Sequence, residues 1–393
     1  MGRINKDNLG RIIIVSDSDY PGLDATSNYI RNFAKSLALA EIDTKIVAVD
    51  RSVNRYRKAE WKKEDTNISY ISVAYPVNNK VATVVSRYSY ASRVWKLLKQ
   101  IGINSRDRVI VYSQKYAIVN PIIDRCRKNG VKVSAIVVEW FEGKDKNQDK
   151  CFEIACTKCD SIIAISKNIK CHFDSLGVPT MILPPMVDMS QCEERVENTR
   201  GDKVHFLYTG NFVGKDDMHV MLKALSILPD EIRSRIEFHV TRFNDDSLIK
   251  ASGINITTWN KIKDVVYTHG DVTVEELNRL LQMADFLPIA RQKNRTTISN
   301  FPSKVPEAMM AGIIPIMTKV GDCPTDYLSD GVDSILFEEC TPECCAEAFE
   351  RAVSVACSDD VSELVRLKKE VCNTVQRRFD ISNYSESLVN FVI

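Results

Sequence analysis

The chain lacks the features that mark membrane-spanning, secreted and nucleic-acid-binding proteins. Its 53 basic and 52 acidic residues give a formal net charge of +1, so no general basic field attracts nucleic acid or anionic lipid. No apolar run approaches the roughly 20 residues that a membrane-spanning helix needs. Residues 1–8 lack the apolar core of a signal peptide. We therefore expect a cytoplasmic protein that binds no nucleic acid.

The chain also lacks a paired cysteine motif for structural zinc, although it contains 12 cysteines. Cys156 and Cys159 form a CxxC, but no second CxxC stands at zinc-ribbon spacing. Reduced, partly buried thiols are the ordinary state of cysteines in a cytoplasmic protein. The cysteines therefore predict no metal site.

The length of 393 residues exceeds what one ordinary hydrophobic core supports, so the sequence predicts two domains. In the first half, short apolar runs alternate with amphipathic stretches, as in parallel βαβ units. The predicted strands there are 11–15, 44–49, 108–112, 133–138 and 161–164. One helix is indicated by apolar residues at helical spacing, namely Ile30, Phe33, Ala34, Leu37 and Ala38. The first domain, residues 1–190, is predicted to be Rossmann-like.

The alternation pauses at the charged segment 188–203, which we interpret as a linker. It resumes with predicted strands 204–208, 236–240, 265–268, 286–289, 313–317 and 334–337. Thr273 and Glu276 form a predicted capping box, and Thr341 followed by Pro342 marks another helix start. A second Rossmann-like domain is therefore predicted over residues 191–375.

Ligands of open parallel sheets bind beyond the carboxyl ends of the strands. The loop 208–217 follows the first strand of the second domain and contains Gly210, Gly214 and Lys215. Glycines let the backbone approach a phosphate, and a charged contact from Lys215 would contribute about 1.5–3 kcal/mol. The alternative is a flexible turn with a solvated lysine.

The segment 300–312 predicts a polar loop followed by a helix that begins near Ser303 or Lys304. Free amides at this helix start can bind a diphosphate, while Glu307 can accept hydrogen bonds from ribose hydroxyls. Alternatively, Glu307 only stabilises the helix start. The basic residues upstream either contact phosphate or are surface charge; they are Arg291, Lys293 and Arg295.

The loop 17–26 follows the first predicted strand of the chain and contains Gly22. Its backbone could approach a phosphate or a sugar, or the loop could be an ordinary connection. Apolar residues further along, namely Tyr88, Tyr90, Val94 and Leu97, are interpreted as core rather than as contacts to a lipid-linked acceptor.

Segments 210–215, 301–312 and 320–331 resemble the retaining GT-B glycosyltransferases, specifically the glycosyltransferase family 4 group. Segments 17–39 and 159–166 are similar to that family too, so the resemblance covers most of the chain and is strongest from 161 to 337. It implies an α/β fold of GT-B architecture, with two doubly wound domains facing a central cleft. The first domain would bind the acceptor and the second the donor, and a terminal helix in 376–393 would return to the first domain.

The resemblance implies a hexosyltransferase that moves a sugar from a nucleotide diphosphate sugar to a glycan or lipid-linked acceptor with retention of configuration. Surface polysaccharide biosynthesis is the implied setting. Such enzymes need no metal or other cofactor, because cations and helix-start amides stabilise the leaving diphosphate. A lipid-linked acceptor would bring the protein to the inner face of the membrane as a peripheral protein.

The resemblance also assigns donor-site residues by position. Lys215 matches the diphosphate lysine and Glu307 the ribose glutamate, and the same segments place five further residues at the donor: Gly210, Asn211, Ser299, Ser303 and Lys304.

Three departures from the family pattern put part of this activity in doubt. Ser299 stands where the family has a first glutamate, and Asn211 stands where it often has an arginine. No histidine precedes His172, although many members have one near the donor sugar. Two rival functions therefore stay open, a catalytically inactive nucleotide-sugar-binding partner and a sugar-nucleotide epimerase on the same fold.

Three residues that follow predicted strands could replace the missing histidine, namely Gln114, Lys115 and Glu139. We place Glu139 first among them and expect it and Lys215 to be the catalytic residues. The alternative for Glu139 is an ordinary solvated carboxylate at a strand end.

Overall fold

The computed structural model describes residues 10–22, 24–53, 59–143, 146–192, 202–358 and 362–392. The chain divides into two compact units, which we call unit 1 and unit 2. Unit 1 comprises Met1–Met186 and Ile381–Ile393, and unit 2 comprises Val187–Asp380. The domains expected from the sequence ended at residues 190 and 375. Most of the predicted linker, residues 193–201, lies outside the described residues.

Unit 1 contains an eight-stranded sheet in the order β3-β4-β2-β1-β5-β6-β7-β8. All neighbouring strands are parallel except β3 and β4, which pair antiparallel at the edge. The strands are β1 Ile12–Asp19, β2 Thr44–Asp50, β3 Lys62–Asp65, β4 Ile68–Ala74, β5 Arg108–Tyr112, β6 Lys132–Val137, β7 Ser161–Ala164 and β8 Thr180–Ile182. The helices between them are α1 Ala25–Leu39, α2 Lys80–Gln100, α3 Tyr116–Lys128, α4 Lys146–Lys150 and α5 Lys167–Ser175.

The sequence did not predict β3, β4 and β8, and it ended β1 too early. β3 is the charged, exposed segment KKED, which has no apolar alternation to mark it as a strand. β1 continues through Ser16–Asp19 although these residues are polar, because their polar groups find partners. Asp17 pairs with Lys115, Asp19 pairs with Arg51 at 2.7 Å, and the Ser16 carbonyl accepts a hydrogen bond from Tyr90.

The apolar stripe predicted for the first helix is confirmed in α1, where Ile30, Phe33, Ala34 and Leu37 are fully buried. The last helix of the chain, α15 Ser385–Val392, packs against α1 within unit 1. Its buried residues include Leu388, Val389 and Val392. α15 is therefore part of unit 1.

Only part of the apolar set in α2 is core. Tyr90 and Val94 are fully buried, as expected, but Tyr88 is 67% exposed. Val81, Val84 and Val85 lie on the same exposed side of the helix as Tyr88, at i, i+3, i+4 and i+7 spacing. In the described part of the chain, no helix is both long and apolar enough to cross a membrane.

Unit 2 contains a six-stranded parallel sheet in the order β11-β10-β9-β12-β13-β14. The strands are β9 Val204–Tyr208, β10 Ile236–Val240, β11 Val266–Thr268, β12 Phe286–Ile289, β13 Ile314–Thr318 and β14 Ile335–Phe337. All six were predicted to within one residue at each end. They were visible because short, mainly apolar runs are typical of strands in a parallel sheet that is covered by helices.

Two helices of unit 2 begin with the side-chain caps that the sequence indicated. Thr273 and Glu276 form the capping box of α10, and Thr341 caps α13 with Pro342 at its first position, which confirms both predictions. The helices are α6 Met218–Ile227, α7 Asp230–Arg233, α8 Asp245–Ser252, α9 Ile256–Ile262, α10 Val274–Met283, α11 Arg295–Ser299, α12 Lys304–Met310, α13 Pro342–Cys357 and α14 Ser362–Arg378.

Candidate active site

The strand order of unit 2 reverses between β9 and β12. From β9 the chain adds β10 and β11 on one side, then returns to add β12, β13 and β14 on the other. In open parallel sheets, ligands bind in the crevice outside the carboxyl ends of two such strands. The segment 208–217 leaves β9 here, and Ala290 and Arg291 leave β12.

Backbone conformation shapes the segment 208–217. Gly210 and Gly214 have φ angles of 84° and 81°, a region that side chains with a Cβ rarely adopt. Asn211 is exposed, and its side-chain oxygen accepts a hydrogen bond from the amide of Val213 at 3.0 Å. Asn211 thus helps to form the turn. The Asp217 amide donates to the Ala290 carbonyl at 2.6 Å, which fixes this loop to the end of β12.

A buried carboxylate, Asp216, joins side chains from three parts of unit 2. Its Oδ1 lies 2.6 Å from Arg291 Nε, and its Oδ2 lies 3.0 Å from Lys304 Nζ. The Tyr208 hydroxyl donates to Oδ2 at 2.5 Å and accepts from Lys304 Nζ at 2.7 Å. We call Tyr208, Asp216, Arg291 and Lys304 the Asp216 cluster. It connects the end of β9, the loop after β12 and the start of α12.

The Asp216 cluster carries more positive than negative charge. Burial favours the neutral form of Asp216, but Arg291 and Lys304 outweigh burial and hold its pKa well below the ordinary value. Burial lowers the pKa of Lys304; Asp216 opposes this effect, whereas Arg291 and Lys215 add to it. Two cations thus share one carboxylate, and Lys215 is a third cation close by. The excess positive charge favours an anionic ligand at this place.

Lys304 is the member of the cluster best placed to contact a ligand. Its side chain is 18% exposed, whereas those of Arg291 and Asp216 are 3% and 2% exposed. An ammonium has three N–H donors, and within the described residues two of them are directed at Tyr208 and Asp216. Lys304 was predicted to bind the donor. Its partner Asp216 was not singled out by the sequence.

The helix α12 begins at Lys304, which confirms the predicted start. Ser303 is the half-buried residue before it and makes no capping hydrogen bond with its side chain. Glu307 lies in the first turn and is exposed. Its position suits contact with a ligand at the helix start, and its ribose-binding role stays a prediction.

The residues just upstream of α12 are more buried than the sequence suggested. Ser299 has no exposed surface and Asn300 is 8% exposed. Asn300 accepts a hydrogen bond from Arg291 Nη1 at 3.1 Å, so this segment is joined to the Asp216 cluster. A sugar hydroxyl could reach Ser299 only if neighbouring residues moved. Its donor-binding role stays a prediction.

The three basic residues considered for phosphate binding lie in different surroundings. Arg291 is 3% exposed and is held by Asp216 and Asn300, so it is not surface charge. Lys293 is exposed and Arg295 is half-buried. Sequence reasoning could not separate them, because burial of Arg291 depends on a carboxylate 75 positions earlier.

Unit 1 has its own switch point between β1 and β5, the strands from which its sheet extends in both directions. Asp17 in β1 pairs there with Lys115, which follows β5. Gln148 donates from Nε2 to Gln114 Oε1 at 2.8 Å and to the Glu139 carbonyl at 3.1 Å. All three residues proposed in place of the missing histidine are therefore half-buried in polar networks at this edge of the sheet.

Gly22 lies between β1 and α1 in unit 1. Its amide donates to the Ser27 hydroxyl at 2.7 Å, and its carbonyl accepts from Arg31 Nη2 at 3.1 Å. Both backbone groups therefore bond within the loop. This geometry agrees with an ordinary connection, and contact with a ligand stays a prediction.

The cysteines considered for a metal site are mostly core residues. Cys151, Cys156 and Cys159 are buried, and Cys171 is exposed. Burial raises the pKa of the Cys159 thiol well above its ordinary value. The Cys159 thiol is therefore a poor metal ligand and a poor nucleophile near neutral pH.

Comparisons with known proteins agree with the fold. Residues 203–354 match the family model described as Glycosyl transferases group 1. The matched region contains the 208–217 loop, the Asp216 cluster and Glu307. No curated protein sequence matches the chain at a significant level.

Solved structures with the same fold include several glycosyltransferases. A sucrose-phosphate synthase from Thermosynechococcus elongatus is 13% identical with a TM-score of 0.75, covering 97% of this chain and 98% of that one. A glycosyltransferase from Rickettsia africae is 11% identical with a TM-score of 0.69, covering 98% of both chains. A trehalose-6-phosphate structure from E. coli, bound with UDP-2-fluoro glucose, is 9% identical with a TM-score of 0.67, covering 98% of this chain and 99% of that one. The fold is thus two α/β units of mainly parallel sheet that resemble GT-B glycosyltransferases.

Proposed function

We propose that the protein is a retaining glycosyltransferase that moves a sugar from a nucleotide diphosphate sugar to a glycan or lipid-linked acceptor. The observation that carries this proposal is the Asp216 cluster beside the 208–217 loop. It combines excess positive charge, two loop glycines with positive φ angles and a strand switch point in the region that matches the Glycosyl transferases group 1 model. The UDP-2-fluoro glucose of the E. coli structure supports a donor of this class.

In the proposed donor site, Lys304 and Lys215 bind the diphosphate, and the backbone around Gly210 approaches it. Glu307 accepts hydrogen bonds from the ribose, and Asn211 and Ser303 line the remaining site. Ser299 has no exposed surface and contacts the donor only if neighbouring residues move. Each charged contact with the diphosphate contributes about 1.5–3 kcal/mol. The buried ion pairs of Asp216 keep Lys304 in place before the donor binds, so little reorganisation is needed.

In the proposed reaction, the bond between the anomeric carbon and the diphosphate oxygen breaks while the acceptor oxygen bonds to the same face of that carbon. The acceptor proton passes to the leaving phosphate, so the protein needs no pair of carboxylates of the glycosidase type. The lysines stabilise the negative charge that develops on the diphosphate. No metal or other cofactor is required for this step.

Unit 1 is the proposed acceptor domain, with the switch point between β1 and β5 as its binding region. Glu139 lies at this edge and is half-buried, and we propose it as the catalytic residue that replaces the missing histidine. Asp17, Lys115 and Gln114 supply further polar groups there.

An exposed apolar face on α2 supports peripheral association with the inner face of the membrane. Val81, Val84, Val85 and Tyr88 are 73%, 51%, 46% and 67% exposed and lie on one side of the helix. Exposed Lys80 lies beside this face. Apolar residues next to a cation suit the boundary of an anionic membrane. Lipid-linked acceptors of surface polysaccharide biosynthesis are found at such a boundary.

A screen of nucleotide sugars against purified protein tests the proposal. We expect one donor to release its nucleoside diphosphate when a matching acceptor is present, and the product to keep the anomeric configuration of the donor by NMR. Inversion of configuration would contradict the retaining mechanism. No release and no binding with any donor would contradict the function itself.

The burial of Ser299 favours one rival, a catalytically inactive nucleotide-sugar-binding partner. A serine without exposed surface supplies neither charge nor a free hydroxyl to the donor sugar. Donor binding without turnover across a broad acceptor panel would favour this rival. Conversion of the donor sugar in the absence of any acceptor would instead favour an epimerase.

A further inference from the structure

Three side chains of unit 2 with metal-binding groups converge on one side of its sheet. His205 lies in β9, and Glu237 and His239 lie in β10. The strand register places Glu237 directly beside His205, and residues two apart in a strand share a face. His205 precedes Tyr208 by three residues, about 10 Å along the strand. This group is therefore separate from the Asp216 cluster.

The spacing of their ligand atoms suits one small metal ion. His205 Nδ1 lies 3.2 Å from Glu237 Oε2, and His239 Nε2 lies 3.6 Å from the same oxygen. All three ligand atoms lie within 4.8 Å of one another. Ligands bound tetrahedrally to zinc at 2.0–2.2 Å lie about 3.3 Å apart, so only small side-chain movements are needed.

A buried nitrogen without a partner points to the same conclusion. His239 is 5% exposed, and its Nε2 makes no hydrogen bond within the described residues. The Nδ1 of His205 is also buried and without a hydrogen bond there. A buried polar atom without a partner costs about 1–3 kcal/mol. A metal ion between the three side chains would satisfy both nitrogens.

The other nitrogen of His239 is held by a second histidine. His239 Nδ1 lies 3.0 Å from Nε2 of His269, which follows β11. If His239 donates its Nδ1–H to His269, the lone pair of its Nε2 is directed towards Glu237. Such a hydrogen bond fixes the ring and the tautomer of a metal ligand. The ring of Tyr267 stacks on His239 with a centroid distance of 5.1 Å and holds it further.

We propose that His205, Glu237 and His239 bind a divalent transition metal ion, with zinc as the best fit. Two imidazoles and one carboxylate suit zinc better than magnesium or calcium, which prefer oxygen ligands. The side chains of His205 and Glu237 are 22% and 24% exposed, so the ion can enter and keep a water as fourth ligand. The ion would join β9 to β10 and stabilise unit 2. The sequence predicted no metal site, and this proposal departs from that prediction.

Cobalt(II) titration of the metal-stripped, full-length protein tests this site. We expect one bound ion to give the visible bands of four-coordinate cobalt with nitrogen and oxygen ligands. Ions bound by cysteines are distinguished by their near-ultraviolet thiolate bands. His205→Asn and Glu237→Gln should each weaken this binding about 100-fold or more, beyond the 10–100-fold typical of losing a second-layer contact. His219→Asn is the matched control, since His219 lies in the same unit and bonds to the Ser252 carbonyl.

Zinc should also raise the unfolding temperature of the wild type and of His219→Asn, and leave that of His205→Asn unchanged. Cobalt binding that gives only thiolate bands would overturn the proposal. Equal binding by the wild type, His205→Asn and Glu237→Gln would overturn it too. In that case His205 and Glu237 form an ordinary ion pair. The test does not depend on donor turnover, because the nucleotide site is elsewhere in unit 2.

Discussion

Asp216 is the residue on which the geometry of the candidate donor site depends most. It is the one described carboxylate that contacts both Arg291 and Lys304. Asp216→Asn would leave two buried cations without a counter-charge, which costs about 3–5 kcal/mol. We expect a loss of this size in the free energy of unfolding, measured by urea denaturation with circular dichroism.

The neighbouring residue provides a control for this prediction. Asp217 caps α6 by accepting from the Val220 amide at 3.1 Å, and asparagine caps helices about as well as aspartate. Asp217→Asn should therefore change the free energy of unfolding by less than about 0.5 kcal/mol. Equal losses in the two variants would show that Asp216 has no special role.

The charge of Lys304 predicts how nucleotide binding depends on pH. Burial lowers the pKa of Lys304 from its ordinary value, so it loses its proton at a lower pH than an exposed lysine. Only the ammonium attracts a diphosphate, and the affinity for nucleoside diphosphate should fall as pH rises through this lowered pKa. Isothermal titration calorimetry across the alkaline range measures the decline.

Lys304→Arg isolates the contribution of this residue to the pH dependence. The guanidinium stays charged throughout the range, so the variant should lack the part of the decline caused by Lys304. The nucleotide itself titrates identically with both proteins. Any difference between the two curves of affinity against pH is therefore caused by residue 304. Identical curves would mean that Lys304 does not contact the diphosphate.

At the residue scale, the sequence predicted those candidate site residues that stand in a recognisable local motif. Lys215 stands in a glycine loop after a strand, and Lys304 and Glu307 stand at a helix start. Asp216 carries no such signal, because its charged partners, Arg291 and Lys304, are 75 and 88 positions away. Its role depends on which strand ends are adjacent, and adjacency is a property of the folded sheet.

At the scale of elements, the exposed face of α2 predicts binding to anionic vesicles. The double variant Val81→Ser, Val85→Ser removes apolar surface from this face and should lower vesicle binding several-fold in a sedimentation assay, since each buried CH₂ contributes about 0.8 kcal/mol. Val365→Ser is the control, because Val365 is a 60% exposed valine on α14. Unchanged binding in the double variant would exclude α2 as the contact.

The elements of unit 2 were predictable because its strands are short apolar runs between capped helices. The strand β3 at the edge of unit 1 was not predictable from the sequence. It is exposed and charged, and its pairing with β4 holds it as a strand. Backbone pairing of this kind depends on a neighbouring strand, and no local pattern of side chains encodes it. The buried face of α1, by contrast, follows directly from helical spacing.

At the scale of the whole molecule, the chain ends by packing α15 onto α1. Leu388 in α15 is fully buried, and Leu388→Ala should cost unit 1 about 2–5 kcal/mol. Trp61, Trp95 and Trp140 belong to unit 1, so tryptophan fluorescence during urea unfolding reports mainly on that unit. The affinity of unit 2 for nucleotide should not change.

Ser387→Ala is the matched control, because Ser387 is an exposed neighbour in the same helix. It should change the free energy of unfolding by less than about 0.5 kcal/mol. A loss of nucleotide affinity in Leu388→Ala, under conditions where the protein stays folded, would contradict the assignment of the donor site to unit 2 alone.

The central claim is that the crevice between the ends of β9 and β12 binds a nucleotide diphosphate sugar. Calorimetric titration of UDP- and GDP-sugars into the wild type and into Lys215→Ala and Glu307→Ala tests it most directly, with exposed Lys250→Ala and Glu347→Ala as matched controls. We predict one donor bound per chain, affinity lowered about 10–100-fold in each site variant, and no change in the controls. Binding that is absent from the wild type, or equal in all five proteins, would contradict the account.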